Sequence, residues 1–291
     1  MFKGSMVALV TPMHEDGSID TQALKTLVEW HIEAKTDAII VAGTTGESAT
    51  LDADEQFEII SLVVKQCAGR IPVIAGTGTN ATKSTLTRTE NAKRAGAQAA
   101  LIVTPYYNKP TQNGLYAHYK FVAEQCSLPI ILYNVPGRTA CDMLPETVER
   151  LSTIKNIIGI KEATGKSERA KDILSRCHHT FAVYSGDDAT ALDLLLLGAK
   201  GVISVTANIA PQKMQAMCNA ALKGNQDLAK QINDELMPLH HGITCETNPI
   251  PAKWMLHIMG KIKLGLRLPL LPLDQKYHQS IKEMMQNVGV N

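Results

Sequence analysis

Eight short apolar runs recur along the chain with amphipathic segments between them: Met6–Val10, Ala38–Val41, Pro72–Ala75, Ala99–Val103, Pro129–Tyr133, Ile157–Ile160, Phe181–Tyr184 and Gly201–Val205. None alternates apolar and polar positions with a period of two, so each suits a strand buried on both faces, as a parallel sheet covered by helices requires. Their centres lie 19 to 34 residues apart, which leaves room for one crossover helix in each gap. The helices are announced by caps and spacing. Asp20 precedes Leu24, Leu27, Val28 and Ile32, and Asp52 with Glu55 three residues on forms a capping box ahead of Ile59, Ile60, Val63 and Val64. Eight such units predict an α/β protein of the (β/α)8 barrel class. An open doubly wound sheet is the alternative, but no Gly-x-Gly-x-x-Gly follows the first strand; Gly76-Thr77-Gly78-Thr79-Asn80-Ala81 comes nearest and lacks the last glycine.

After Lys223-Gly224-Asn225 the strand pattern stops. Leu228, Ile232 and Leu236 mark one helix, Trp254 to Ile258 another, and Asp274 caps a last one carrying Tyr277, Ile281 and Val288. The expected organisation is a catalytic barrel over residues 1–223 with a helical region, 224–291, packed beside it. No low-complexity stretch or long linker divides the two.

Composition narrows the function classes. A hydrophobic fraction of 45% supports a sizeable core, and a net charge of +1 gives no general attraction to nucleic acid or to an acidic membrane surface. No run approaches the roughly 18 apolar residues of a spanning helix. The N-terminus lacks a signal-peptide pattern, so the mature chain is expected to start here, in the cytoplasm. Six scattered cysteines contain no Cys-x-x-Cys pair and suggest neither a zinc site nor a disulfide framework. The doublets His178-His179 and His240-His241 lack ligand spacing and read as surface or interface residues.

Catalytic groups of a barrel stand at the C-terminal ends of its strands. Lys161 follows Ile157-Ile158-Gly159-Ile160 directly and therefore extends a buried strand, where a lysine is costly unless paired or neutral. A desolvated amine has a lowered pKa and can attack a carbonyl to form a Schiff base; the alternative is a lysine paired with Glu162 or Glu47. Tyr133 ends the adjacent strand and could relay protons, or simply pack its ring. Tyr106, Tyr107 and Tyr184 also lie at strand ends, which favours a relay. The loop Gly43-Thr44-Thr45-Gly46-Glu47 could cradle a carboxylate or phosphate through its N–H groups and hydroxyls. Arg138 follows Pro136-Gly137, a turn that would offer a guanidinium fork to a carboxylate or leave it on the surface. Asp187 and Asp188 read first as the N-cap of a helix Ala189–Leu197 rather than as a magnesium pair.

These motifs together carry a resemblance. Gly43-Thr44-Thr45-Gly46-Glu47, Tyr133-Asn134-Val135-Pro136-Gly137-Arg138-Thr139, Gly159-Ile160-Lys161-Glu162-Ala163-Thr164-Gly165 and Tyr184-Ser185-Gly186-Asp187-Asp188 match, in order and approximate spacing, the dihydrodipicolinate synthase family. That family lies within the Schiff-base-forming N-acetylneuraminate lyase superfamily. The similarity continues through Gly198–Pro211 and Asn248–Trp254. It implies a lyase in which Lys161 forms an imine with pyruvate and the enamine attacks L-aspartate 4-semialdehyde. Tyr133, Thr44 and Tyr107 would form the proton relay, with Tyr107 reaching into a neighbouring subunit's site. Thr45, Gly186 and the backbone of Ile203 would bind pyruvate, and Arg138 the carboxylate of the second substrate. The resemblance further implies a homo-oligomer, a dimer or dimer of dimers, with no metal or organic cofactor. The related neuraminate and keto-deoxy-sugar-acid lyases share the lysine, the tyrosine and the Gly-Ser/Thr-Thr-Gly-Glu loop; Gly137-Arg138-Thr139 favours the small dicarboxylic partner. A keto-acid sensor would be expected to lack Lys161, Tyr133 or Thr44.

Lysine-inhibited relatives bind L-lysine near the loop after the second strand, and Ser48, Ala49, Asn80 and Tyr106 keep that pattern. Ala53, Gln56 and Ser84 stand where sensitive bacterial members usually carry two histidines and a glutamate. Without that carboxylate the effector's ammonium groups lose a partner, so weak inhibition or none is expected.

Overall fold

The computed structural model describes residues 2–290. Eight parallel strands, β1 (Gly4–Ala8), β2 (Ala38–Val41), β3 (Val73–Gly76), β4 (Ala99–Val103), β5 (Ile130–Asn134), β6 (Ile157–Glu162), β7 (Ala182–Ser185) and β8 (Gly201–Ser204), close into a barrel in chain order. Around it run α1 (Thr21–Glu33), α2 (Ala53–Cys67), α3 (Thr82–Arg94), α4 (Gln112–Gln125), α5 (Pro136–Thr139), α6 (Pro145–Ser152), α7 (Ser167–Arg176), α8 (Ala191–Leu196) and α9 (Pro211–Leu222). The C-terminal helices α10 (Gln226–Gly242), α11 (Ile250–Ile258) and α12 (His278–Val288) follow.

Both expected caps form. Asp20 accepts from the Ala23 amide, and Asp52 and Glu55 exchange bonds as a capping box at the start of α2. Asp274 caps a short 3-10 turn, Gln275–Tyr277, that leads into α12. The first strand differs from expectation by two residues. Gly4, at φ +86, pairs with Gly201 and stands against the Asp37 carboxylate, which accepts from the Ser5 amide at 2.9 Å. No side chain fits there; pairing begins at the glycine and the strand ends at Ala8, with the Leu9 amide still bonded to the Ile40 carbonyl of β2 at 2.9 Å.

Alternate strand residues divide into two cores. Met6, Ile40, Ile74, Leu101, Ile131, Tyr184 and Ile203 fill the barrel interior. Val7, Ile39, Val73, Ile130 and Ile160 face outward and share one buried cluster with the helices, including Leu236, Leu239, Trp254, Met255 and Ile281 from the C-terminal segment. Among the described residues no helix is long and apolar enough to cross a membrane.

Candidate active site

Lys161 is the penultimate residue of β6 and only 5% exposed. Its neighbour in register on β5 is Tyr133, and Lys161 Nζ lies 4.4 Å from the centre of that ring. The two carboxylates that could neutralise it are engaged elsewhere. Glu162 accepts from the Thr164 amide at 2.8 Å and from Asn134 Nδ2 at 3.1 Å, while Glu47 pairs with Lys253. Among the described residues Lys161 forms no ion pair. Burial pushes the Glu162 carboxyl above its ordinary pKa, against the hydrogen bonds from Thr164 and Asn134. Asn134 also donates to Asp142, which Arg169 holds through two bonds of 2.9 and 2.8 Å. The ends of β5 and β6 are thereby braced from the side away from the lysine.

Gly186 faces Lys161 from the end of β7. A Cβ there would stand 2.8 Å from Lys161 Cε, so a side chain at 186 would displace the amine. Ile203 lies in β8 with its side chain in the barrel interior.

The loop after β2 is shaped by two non-glycine residues in the left-handed region, Ala42 at φ 52 and Glu47 at φ 58. Such conformations persist only where the surroundings hold them. Thr11 Oγ1 donates to the Gly46 carbonyl at 2.7 Å, and Thr45 Oγ1 accepts from Asn248 Nδ2 at 3.0 Å. Glu47, buried at 4% exposure, receives the Lys253 ammonium and the Arg267 amide. Lys253 is fully buried. Its ammonium is disfavoured by that burial and supported by Glu47 beside it. Sequence reading overlooked both Lys253 and Asn248 as parts of the site, although a single lysine inside Ile250–Leu256, among otherwise apolar residues, was an available signal.

Thr44, Arg138, Asn248, Tyr106, Ser48 and Arg88 help line a cavity of about 330 Å³ over the barrel mouth. Lys161 and Tyr133 do not line it directly. Val103 does, and it stands in register with Tyr133, the residue between it and Lys161 two strands away. Arg138 sits on a single helical turn, α5, rather than on an open turn: Pro136 occupies its first position, and the guanidinium donates to the Asn248 carbonyl at 3.1 Å. The remaining face of the fork is free for a carboxylate. Tyr107, at φ 76, is 89% exposed and outside this cavity.

Several expectations need correction. The helix after β7 begins at Ala191, and Asp187 and Asp188 precede it without capping it directly. Asp187 Oδ1 accepts from the amide and hydroxyl of Thr190, both at 2.9 Å. Asp188 Oδ2 accepts from the amides of Val205 and Thr206, both at 2.9 Å, and so ties the end of β8 to this loop. Tyr184 is turned away from any relay: its hydroxyl donates to the Phe2 carbonyl at the opposite end of the barrel. Of the histidine doublets, His178, His179 and His241 are exposed, but His240 is 2% exposed and bonded to Thr206. Among the described residues no group of three or more His, Cys, Asp or Glu side chains is placed to hold a metal ion.

Residues 1–288 match the family model described as the dihydrodipicolinate synthetase family. The chain is 58% identical over 290 residues to the 4-hydroxy-tetrahydrodipicolinate synthase of Ectopseudomonas mendocina, covering 100% of this chain and 99% of the relative. Its backbone resembles the chloride-inhibited dihydrodipicolinate synthase of Acinetobacter baumannii, solved with pyruvate, with a TM-score of 0.99 and 50% identity over 100% of both chains. It also resembles a variant described as the first monomeric dihydrodipicolinate synthase, with a TM-score of 0.97 and 41% identity over 100% of this chain and 98% of that one.

Proposed function

The chain belongs to the dihydrodipicolinate synthetase family, and we propose that Lys161 carries its reaction as the imine-forming amine. The activity is that of a lyase, 4-hydroxy-tetrahydrodipicolinate synthesis, in which pyruvate condenses with L-aspartate 4-semialdehyde on the route to diaminopimelate and lysine. Lys161 Nζ, as the free amine, adds to the C2 carbonyl of pyruvate and water leaves. The imine then loses a proton from C3, and the resulting enamine attacks the aldehyde carbon, whose oxygen takes up a proton. The amine of the second substrate finally adds to C2 and releases Lys161 as the ring closes. The observation that carries this reading is a buried lysine without a carboxylate partner, set against the Tyr133 ring and given room by Gly186. Borohydride reduction with pyruvate should leave a pyruvate-sized adduct on Lys161, seen by intact mass and peptide mapping; a folded protein without it overturns the assignment.

Tyr133 and Thr44 serve as proton relay on this reading, Thr45, Gly186 and the Ile203 backbone as the pyruvate cradle. Tyr107, held outward by its left-handed backbone, suits a role in a neighbouring copy's site, which makes a homo-oligomer, a dimer of dimers, the expected assembly. A cytoplasmic location fits this biosynthetic step.

Arg138 binds the carboxylate of the aldehyde substrate. Its replacement by alanine removes a charge-assisted bond of about 1.5–3 kcal/mol, roughly 10- to 150-fold in kcat/KM for aspartate semialdehyde. Pyruvate trapping on Lys161 should survive. Unchanged kinetics with the aldehyde would refute this role.

The effector cleft is degenerate. Ser48, Ala49 and Tyr106 line the cavity, and Asn80 gives its carbonyl to Asn108 Nδ2, but Ala53 and Ser84 are exposed without a carboxylate to offer. Gln56 is buried, donating to the Gly76 carbonyl and accepting from Arg88 at 3.2 Å. Arg88 therefore sets a guanidinium in the cleft, and among the described residues it has no acidic partner. A cation there repels the ammonium groups of L-lysine. Activity should change little in millimolar L-lysine, and strong inhibition at sub-millimolar concentration would contradict the reading.

A further inference from the structure

β5 and β6 do not pair in simple register. Ile130 stands opposite Ile157, but Ile131 stands opposite Gly159, so β6 carries one extra residue, Ile158, between two regular stretches. The consequence falls on Lys161. Counted from Ile157, whose side chain joins the outer core, strict alternation would turn residues 159 and 161 outward and Ile160 inward. The structure has the reverse. Ile160 packs in the outer core, Ile158 lies against the interior cluster, and the Lys161 amine faces the interior ring of Tyr133. A one-residue bulge therefore selects the face on which the amine stands. A slip of β6 that paired Ile158 with Ile131 would set Ile160 against Tyr133 and aim the lysine at the surrounding helices.

Such a register needs a pin beyond the bulge, and Asn134 is placed to supply it. Asn134 ends β5 directly after Tyr133 and pairs in register with Glu162, which directly follows Lys161. Both are buried, at 0% and 2% exposure. The Asn134 Nδ2 donates to Glu162 Oε2 at 3.1 Å and to Asp142 Oδ1 at 2.9 Å, while its Oδ1 accepts from the Met143 amide at 2.9 Å. The Ala163 amide adds a backbone bond to the Asn134 carbonyl at 2.9 Å. In the slipped register Glu162 would turn inward and leave these donors behind, a buried carboxylate without its partners. The bonds of Asn134 are thus made only when Lys161 points into the barrel.

We propose that Asn134 is a positioning residue for the reaction: by binding Glu162 across the strand pair it fixes the register that holds the Lys161 amine at the Tyr133 ring. This assignment rests on the reading of Lys161 as the imine-forming amine. Asn134 points away from the reacting atoms and acts through the geometry between amine and phenol, to which proton transfer in the imine and enamine steps is sensitive.

Asn134→Leu keeps the approximate volume and removes every side-chain bond. Assayed well below its melting temperature, this variant should still trap pyruvate on Lys161, with KM for pyruvate little changed and kcat lowered about 10- to 100-fold. An exchange of polarity supplies the control. Asn134→Asp alone sets a carboxylate against Glu162 and should lose at least as much kcat. Adding Glu162→Gln to it restores one donor and one acceptor with their roles reversed, and most of the lost kcat should return, whereas Glu162→Gln added to Asn134→Leu should recover nothing. Unchanged kcat in Asn134→Leu, a rise in KM parallel to the fall in kcat, or a loss that the exchange does not reverse would each mean that Asn134 only contributes to folding, and would overturn the proposal. Should Asn134→Leu fail to fold, Asn134→Asp with and without Glu162→Gln gives the comparison alone. Failure of the wild type to trap pyruvate on Lys161 would instead strike the underlying reading.

Discussion

Lys161→Ala is expected to lose the borohydride-trapped pyruvate adduct completely and to lower kcat by on the order of 10⁴-fold or more, because the covalent route has no second amine to run through. Among the described residues the only other lysine as deeply buried, Lys253, is committed to Glu47. Alanine also leaves a void where the lysine stem ran past Gly186 and the Tyr133 ring. Lys161→Met separates the two effects: the thioether chain fills that volume, so stability should stay near wild type while turnover is lost equally. Steady-state assay, mass spectrometry after borohydride and a melting curve read all three quantities. Retention of the adduct on another residue in either variant would reassign the nucleophile.

The barrel was legible because its strands obey a simple physical rule. Residues such as Ile39-Ile40 and Ile130-Ile131 face a core on each side, and uninterrupted apolar text is the mark of that burial. Lys161 stood out for the converse reason, as a charge at the end of such a run. What stayed hidden depends on which partner a polar residue meets across the fold. Asp188 resembles a cap in the one-dimensional text, yet its amide partners lie 17 and 18 residues later, on the far side of β8. His240 seemed a surface residue beside His241, but the helix turns one of the two inward to Thr206 and leaves the other exposed. Tyr184 shares its strand-end position with Tyr133, yet its hydroxyl bonds at the opposite end of the barrel. Local propensity contains none of this, because each contact is set by the closure of the barrel and by the return of the C-terminal helices over its mouth.

That return explains why the second large effect is expected far along the chain, at Lys253. Its ammonium meets Glu47 across 206 residues of sequence, with both side chains almost completely enclosed. The pair, with the Arg267 amide on the second Glu47 oxygen, holds a left-handed glutamate and so the loop that carries Thr44 and Thr45. Lys253→Met leaves Glu47 as an unpaired buried charge and should cost about 3–5 kcal/mol, a fall in Tm on the order of 10 °C. Turnover should also fall at temperatures where the variant is folded, since the Thr44–Thr45 loop loses its anchor. The double variant Glu47→Gln with Lys253→Met removes both charges together, and a buried ion pair replaced by neutral groups of similar size can be close to neutral in stability. Melting curves of the two single variants and the double variant therefore distinguish two roles for the pair. If the double variant recovers stability but not kcat, the ion pair exists to position the loop. If it recovers both, the pair's geometry is dispensable and only its neutrality matters. A single variant as stable as wild type would mean that Glu47 finds another cation or takes up a proton without cost, and the anchoring role would be lost with it.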